Sequence, residues 1–299
     1  MAMSPESPYS FLYKTGQDLM LLSGSAPLWR FHIATDHRKP FFHPVQTTSG
    51  IQLTCFEPWD HIWHRGLWFS WHTINGVNYW EESEDGTGDG ITEFVGPEEV
   101  VFYKDSVTIT VPFQYSSPDR DVVLVEDREI TIEAPDDQGD YRMDWLLTFT
   151  AQEDLVFDRV PVTEKTPWGG YGGLSWRSAR SMGGMSLLNS EGQTGDGTRH
   201  QRAKWVDLSG SSDGGRDLKG GMTFMDHPGN PRFPSFWKTF GNDGFGYINP
   251  AFVMMEPFSL EEGESLTLFY RVFIHNGLLS LDQIEKEYQR FSKIPVAME

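Results

Sequence analysis

The sequence predicts an all-β protein: a large antiparallel β-sandwich closed by one C-terminal helix. Three observations carry that expectation. Apolar and polar residues alternate through long runs such as VVFYKDSVTITVPFQY and DVVLVEDREITIEAP, the period of a strand with one wet face. Thirty glycines and eighteen prolines punctuate the 299 residues, which suits many turns between strands. Helical spacing is clear only in SLDQIEKEYQRF, where Leu281, Ile284, Tyr288 and Phe291 share one face. All-β chains of this length often form one unit, so residues 1–299 are read as a single domain.

Taken in order, YSFLYKT, DLMLLS and APLWRFHIA read as strands separated by Thr15-Gly16 and Ser23-Gly24-Ser25. Pro40 to Cys55 reads as strand, turn, strand. FEPWDHIWHRG has Pro58, Gly66 and no alternation, which makes it a loop. In the strand that follows, Leu67, Phe69 and Trp71 face the core, and Trp68, Ser70 and His72 face the other way. Asn75-Gly76 signals a type I′ hairpin with VNYWEE returning. SEDGTGDG, at 83 to 90, is acidic and glycine-rich but lacks the complete ligand pattern of an EF-hand. Glycines among aromatics in KTPWGGYGGLSWR mark a backbone that approaches something closely or turns sharply. DHPGNPRFP, Asp226 to Pro234, is too rich in proline for regular structure and reads as a rigid site wall. FVMMEPFSLEEGESLTLFYRVFIHNG is a closing hairpin. Ser280 and Gln283 form a capping box for the terminal helix.

A formal net charge of −19 disfavours nucleic acid and anionic membrane surfaces as partners. The single cysteine, Cys55, excludes an internal disulfide and a cysteine-based zinc site. The opening MAMSPESPYSFLYKTG has neither a basic nor an apolar signal region, and no apolar run nears the roughly 20 residues of a membrane helix. A cytoplasmic protein is expected, and a homo-oligomer is compatible with this.

Pro40 to Trp80 concentrates His43, His61, His64 and His72 with Glu57, Asp60 and Arg65 among five tryptophans. Such polar groups need partners wherever they are buried, so the stretch is read as the lining of a small-molecule site. His61 and His64, three apart, converge only in a helical turn. They read either as an acid/base pair, with Asp60 or Glu57 holding a tautomer, or as a hydrogen-bonded loop brace. His43 and His227 are expected to join them, giving four converging catalytic imidazoles. Arg65 and Arg177 either clamp a carboxylate or oxyanion or pair with the acidic surplus. Trp68, Trp168 and Trp237 either stack on a sugar ring or pack in the core. Glu57, His72, Tyr171 and Asn230 complete the expected substrate-binding set, while His200 and His275 are read as solvent-facing. No cofactor is firmly implied, but a divalent metal is possible, held by His61, His64 and one of His43, His72 or His227.

HPVQTTSGIQLT, DHIWHRGLWFSW, NGVNYW, GGYGGLSWR, DHPGNPRFPSFW and LEEGESLTLFYRVFIHNG together resemble the family labelled PmoA-like, from about Pro40 to Gly277. The resemblance implies a mutarotase-like supersandwich and a sugar-catabolic setting, and no agreed reaction. The label points to a membrane-bound methane oxidiser, but this chain has no spanning run and that activity is set aside. The family commonly carries two adjacent histidines before its His-Arg-Gly step; Trp63 holds the first position here. The function expected is an enzyme acting on a sugar or glycoside-like molecule by histidine-centred acid/base chemistry, as a lyase, hydrolase or epimerase. The alternatives are a metal-dependent hydrolase or oxygenase and a non-catalytic sugar-binding module.

Overall fold

Two large antiparallel sheets face one another. They are seen in a computed structural model that describes residues 8–34, 38–82, 89–119, 121–212 and 218–296. The first sheet runs, in spatial order, Tyr9–Lys14, Asp18–Ser23, Ala26–His32, Phe41–Val45, Leu67–Ser70, Gly173–Arg177, Phe245–Pro250 and Trp237–Asn242. The second runs Met182–Asn189, Trp205–Ser212, Lys219–Asp226, Ser265–Asn276, Tyr141–Ala151, Val122–Glu133, Ser106–Ser116 and Ile91–Phe94, with Glu99–Phe102 also on Ser106–Ser116. A small third sheet joins Phe258–Leu260, Leu155–Asp158, Thr73–Ile74 and Val77–Asn78.

The alternation seen in the sequence sets which side of each strand is buried. Tyr141–Ala151 buries every second residue along its length, as a period of two requires. Rings from the two sheets meet between the layers: Phe42 lies 5.4 Å from Trp145, and Trp176 stacks on Phe224 at 6.4 Å. One core thus fills the space between the sheets. It also holds a bidentate ion pair, Arg128 to Glu126, with Tyr115 donating to the same carboxylate.

The helix, Leu281–Phe291, starts where the capping box places it: Ser280 accepts from the Gln283 backbone, and the Gln283 side chain accepts from the Ser280 backbone. It buries Ile284, Tyr288 and Phe291 against Phe269 and Phe273 of the closing strand.

Two local expectations change. The strand returning from Asn75-Gly76 stops at Asn78, because the Asn78 side chain accepts from the backbones of Trp80 and Glu81 and curls the chain. His275 is buried rather than solvent-facing: its Nε2 lies 2.9 Å from Asp207 Oδ1 inside the second sheet. The acidic stretch read at 83 to 90 falls, at 83–88, outside the described residues.

Candidate functional site

The pairing of Leu67–Ser70 with Gly173–Arg177 brings distant loops together. On the first sheet Leu67, Phe69, Leu174, Trp176, Trp237 and Ile248 point into the main core. Alternation therefore turns Trp68, Ser175, Lys238, Phe240 and Tyr247 to the sheet's opposite face. A separate aromatic cluster forms there around Phe41, Trp68, Trp80 and Tyr247. Over it opens a cavity of about 500 Å³, within the size range of small-molecule sites.

One wall is the loop 56–66. Its ends are tied by a bridge between Phe56 and Arg65. Inside it, His61 N donates to Pro58 O and His64 N to His61 O, both at 2.9 Å. These successive turns supply the geometry that a three-residue spacing needs. The two imidazoles stack with centroids 4.6 Å apart and planes 23° apart. Both line the cavity, beside Trp63. Gly66 ends the loop at φ +78°, and a Cβ there would meet Phe42 O at 2.7 Å, so only glycine fits.

The other walls come from far along the chain. Trp80 and Glu81 enter from the curled segment after Asn78, and Trp168 and Tyr171 from the glycine-rich segment. A Cβ on Gly169 would stand 2.5 Å from Val160 O, which is the close approach those glycines suggested. Tyr171 Oη donates to Glu81 Oε1 at 2.7 Å. Lys238, Phe240, Phe245 and Tyr247 complete the lining. Trp168 is 49 % exposed and stands at the rim.

Electrostatically, His64 is enclosed by Trp68, Tyr247 and His61. Burial, then the charges of His61, Arg177, Lys39 and Arg65, hold it well below the ordinary imidazole range, so it is neutral at physiological pH. Asp60 Oδ2 lies 3.2 Å from His61 Nδ1 and accepts from Arg177 at 2.8 Å, while Oδ1 accepts from Arg180 at 2.5 Å. Asp60 thus stands behind His61 within ion-pair distance, and Nδ1 makes no hydrogen bond. Lys238 is pushed down to about 8 by burial and then by Arg199.

Several expected site residues lie elsewhere. His43 is outside the cavity: its Nδ1 is 2.9 Å from Thr54 Oγ1, and burial, then His32, pushes it down to about 4. His227 packs between Phe269 and Phe291 under the helix, with Nδ1 accepting from Gly229 N. The four imidazoles therefore do not converge; two do. The 226–234 loop is held by Asp226 accepting from Asn230 and Ser235, so Asn230 is an internal latch rather than a site wall. Trp237 donates to Ala203 O within the core. Arg65 bonds Glu57, Glu82 and Ile62 O and braces the loop, which also occupies Glu57.

Arg177 binds Asp60 and lies 3.7 Å from the Phe245 ring centre, behind the lining. Trp68 is the floor beneath His64, and His72 sits behind the lining, its ring 4.9 Å from that of Tyr171. Among the described residues no group of three or more His, Cys, Asp or Glu is arranged to hold a metal ion, so the three-nitrogen metal set is not assembled.

The lining residues missed from sequence were Glu81, Lys238, Phe240, Phe245 and Tyr247, while Trp63 and Trp80 belong to the stretch read as lining without having been singled out. Alternation offered a signal: once Trp237 is core, Lys238 and Phe240 must face outward.

The model of a family of unknown function, DUF6807, matches residues 18–289, and the chain belongs to that family. No curated protein matches. Similar solved structures include a GH36 α-galactosidase from Geobacillus stearothermophilus, at 10 % identity, TM-score 0.39, covering 90 % of this chain and 40 % of that one. A heparan sulfate lyase HepC mutant from Pedobacter heparinus is similar at 7 % identity, TM-score 0.42, covering 93 % and 38 %. A galactose mutarotase related enzyme from Lactobacillus acidophilus is similar at 9 % identity, TM-score 0.35, covering 89 % and 97 %. The chain thus spans about two-fifths of the galactosidase and the lyase. Among the described residues no helix is long and apolar enough to cross a membrane.

Proposed function

We propose that this protein binds a sugar-like small molecule in the aromatic cavity and acts on it by histidine-centred proton transfer, as a lyase, hydrolase or epimerase. The observation that carries this reading is the stacked His61–His64 pair set in a cavity walled by Trp63, Trp80, Trp168 and Tyr247. Indole and phenol faces suit the C–H faces of a pyranose ring, and a few charged groups among them fix orientation. Neutral His64 is in the state to accept a proton, and His61, beside the Asp60 carboxylate, is the group to return one. Tyr171 and Glu81 offer a donor and acceptor pair for ring hydroxyls. The PmoA-like resemblance, with its sugar-catabolic setting, agrees with this, and we take the protein as a single-domain cytoplasmic one.

The second reading is a non-catalytic sugar-binding module. It is favoured by the packing of His64 between Trp68 and Tyr247, where an imidazole serves as another aromatic surface. A panel of hexoses, keto-sugars and aryl glycosides, scored for thermal shift and turnover, tests both. Turnover that His64→Ala abolishes while binding persists supports the enzyme. Binding without turnover by the wild type supports the module, and no binding of any sugar ends both.

A further inference from the structure

Lys238 is the one basic side chain among the described residues lining the cavity, apart from its histidines. It is 1 % exposed. Its ammonium donates to Pro167 O and to His200 Nε2, both at 3.0 Å. Both acceptors are neutral: one is a peptide carbonyl, and burial followed by Lys238 and Arg199 pushes His200 down to about 4. His200, expected in solvent, is half-buried instead. It takes a left-handed backbone, φ 58°, an unusual conformation for a non-glycine residue, on a chain that leads its ring to this ammonium.

Each of the other cations named around the cavity has a carboxylate within ion-pair distance, some of them shared. Arg177 and Arg180 pair with Asp60, Arg65 with Glu57 and Glu82, Lys39 with Glu82, and Arg199 with Asp196. No carboxylate among the described residues lies within ion-pair distance of Lys238, although Glu81 lines the same cavity. A buried cation without a counter-charge is costly unless something supplies one. In a ligand-sized cavity the ligand can supply it.

We infer that the substrate is an anionic sugar, a carboxylate-bearing one such as a uronate or aldonate, with Lys238 as the residue that pairs with its carboxylate. This rests on the sugar reading above and narrows it. One ammonium matches a monoanion. A phosphate dianion ordinarily calls on guanidinium groups or several backbone amides, and every arginine named around the cavity is committed to a carboxylate. Phe240 and Tyr171 then bracket the sugar body, with Glu81 kept at a distance from the acid end by its bonds to Tyr171 and Asn78.

The test is calorimetric. D-glucuronate, D-galacturonate and D-gluconate are titrated into the full chain beside D-glucose, D-galactose and glucose 6-phosphate. At least one sugar acid is expected to bind about tenfold or more tighter than its neutral parent, the gain of one charge-assisted contact. Lys238→Met should bring that ratio close to one, and Lys238→Arg should keep a preference for the acid. Equal binding of acid and neutral sugar, a preference for the phosphate, or a ratio that survives Lys238→Met overturns this inference and leaves the sugar reading intact. Failure of every sugar to bind overturns both. If neither variant folds, the wild-type ratio decides the question alone.

Discussion

The imidazole of His64 lies between that of His61, at 4.6 Å, and the Tyr247 ring, at 5.7 Å, each within 23° of parallel. A ring held between two others, with Trp68 beneath, has little room for the water that would stabilise its cation. Its Nδ1 has no hydrogen-bond partner. The chemistry available to the pair follows from that enclosure, which makes His64 a neutral acceptor.

His64 should therefore remain uncharged at pH 6.5, where a free histidine is half protonated. Histidine-selective nitrogen NMR on the folded protein is expected to show a neutral ring down through that pH. A midpoint at or above 6.5 would contradict the burial argument.

Replacing Gly66 by alanine should destabilise the fold by about 2 kcal/mol or more, since it combines a left-handed backbone with a clash on Phe42 O. Urea unfolding measures it. The loop carrying His61 and His64 ends here, so ligand binding in the cavity should weaken as well. An unchanged unfolding midpoint would show that the loop relaxes freely.

The Glu126–Arg128 pair has no exposed side-chain surface on either partner. Glu126→Gln leaves a guanidinium unpaired in the core and should cost about 3–5 kcal/mol. Tyr115→Phe combined with Glu126→Leu and Arg128→Met should recover most of that loss, because apolar replacement removes the desolvation cost of all the partners. Equal losses for the single and the triple variant would refute this account.

His43 makes stability depend on acid. Its folded pKa is pushed down to about 4, against 6.5 for the free group. Between those values the unfolded chain binds the proton and the folded one does not, so stability falls as pH drops from about 6.5 to about 4. His43→Asn should flatten that part of the stability profile relative to wild type. Other histidines held below the ordinary range, His64 and His200 among them, keep part of the slope. An identical slope in the variant would rule out His43 as a contributor.

Much of the fold was legible because its signals are local. The alternation in Tyr141–Ala151, the Asn75-Gly76 turn and the Ser280–Gln283 cap each need only a few neighbouring residues. The site was half legible. The spacing of His61 and His64 made a turn the condition for convergence, and the turn exists. Trp237, expected either to stack on a sugar or to pack in the core, is core, and the register of its strand turns Lys238 to the cavity instead. His227 was expected at the site because its proline-rich loop reads as a rigid wall, yet the ring packs against Phe291 of the terminal helix.

By itself the sequence determined the all-β class, the capped helix, the faces of the long strands and the aromatic, histidine-bearing loop, since periodicity and turn chemistry act between near neighbours. Only the tertiary structure decided which loops meet. The pairing of Leu67–Ser70 with Gly173–Arg177, and of that strand with Phe245–Pro250, brings His61 and His64 into one cavity with Lys238 and leaves His43 and His227 elsewhere. That choice depends on contacts between segments far apart along the chain, and spacing along the chain carries no record of them.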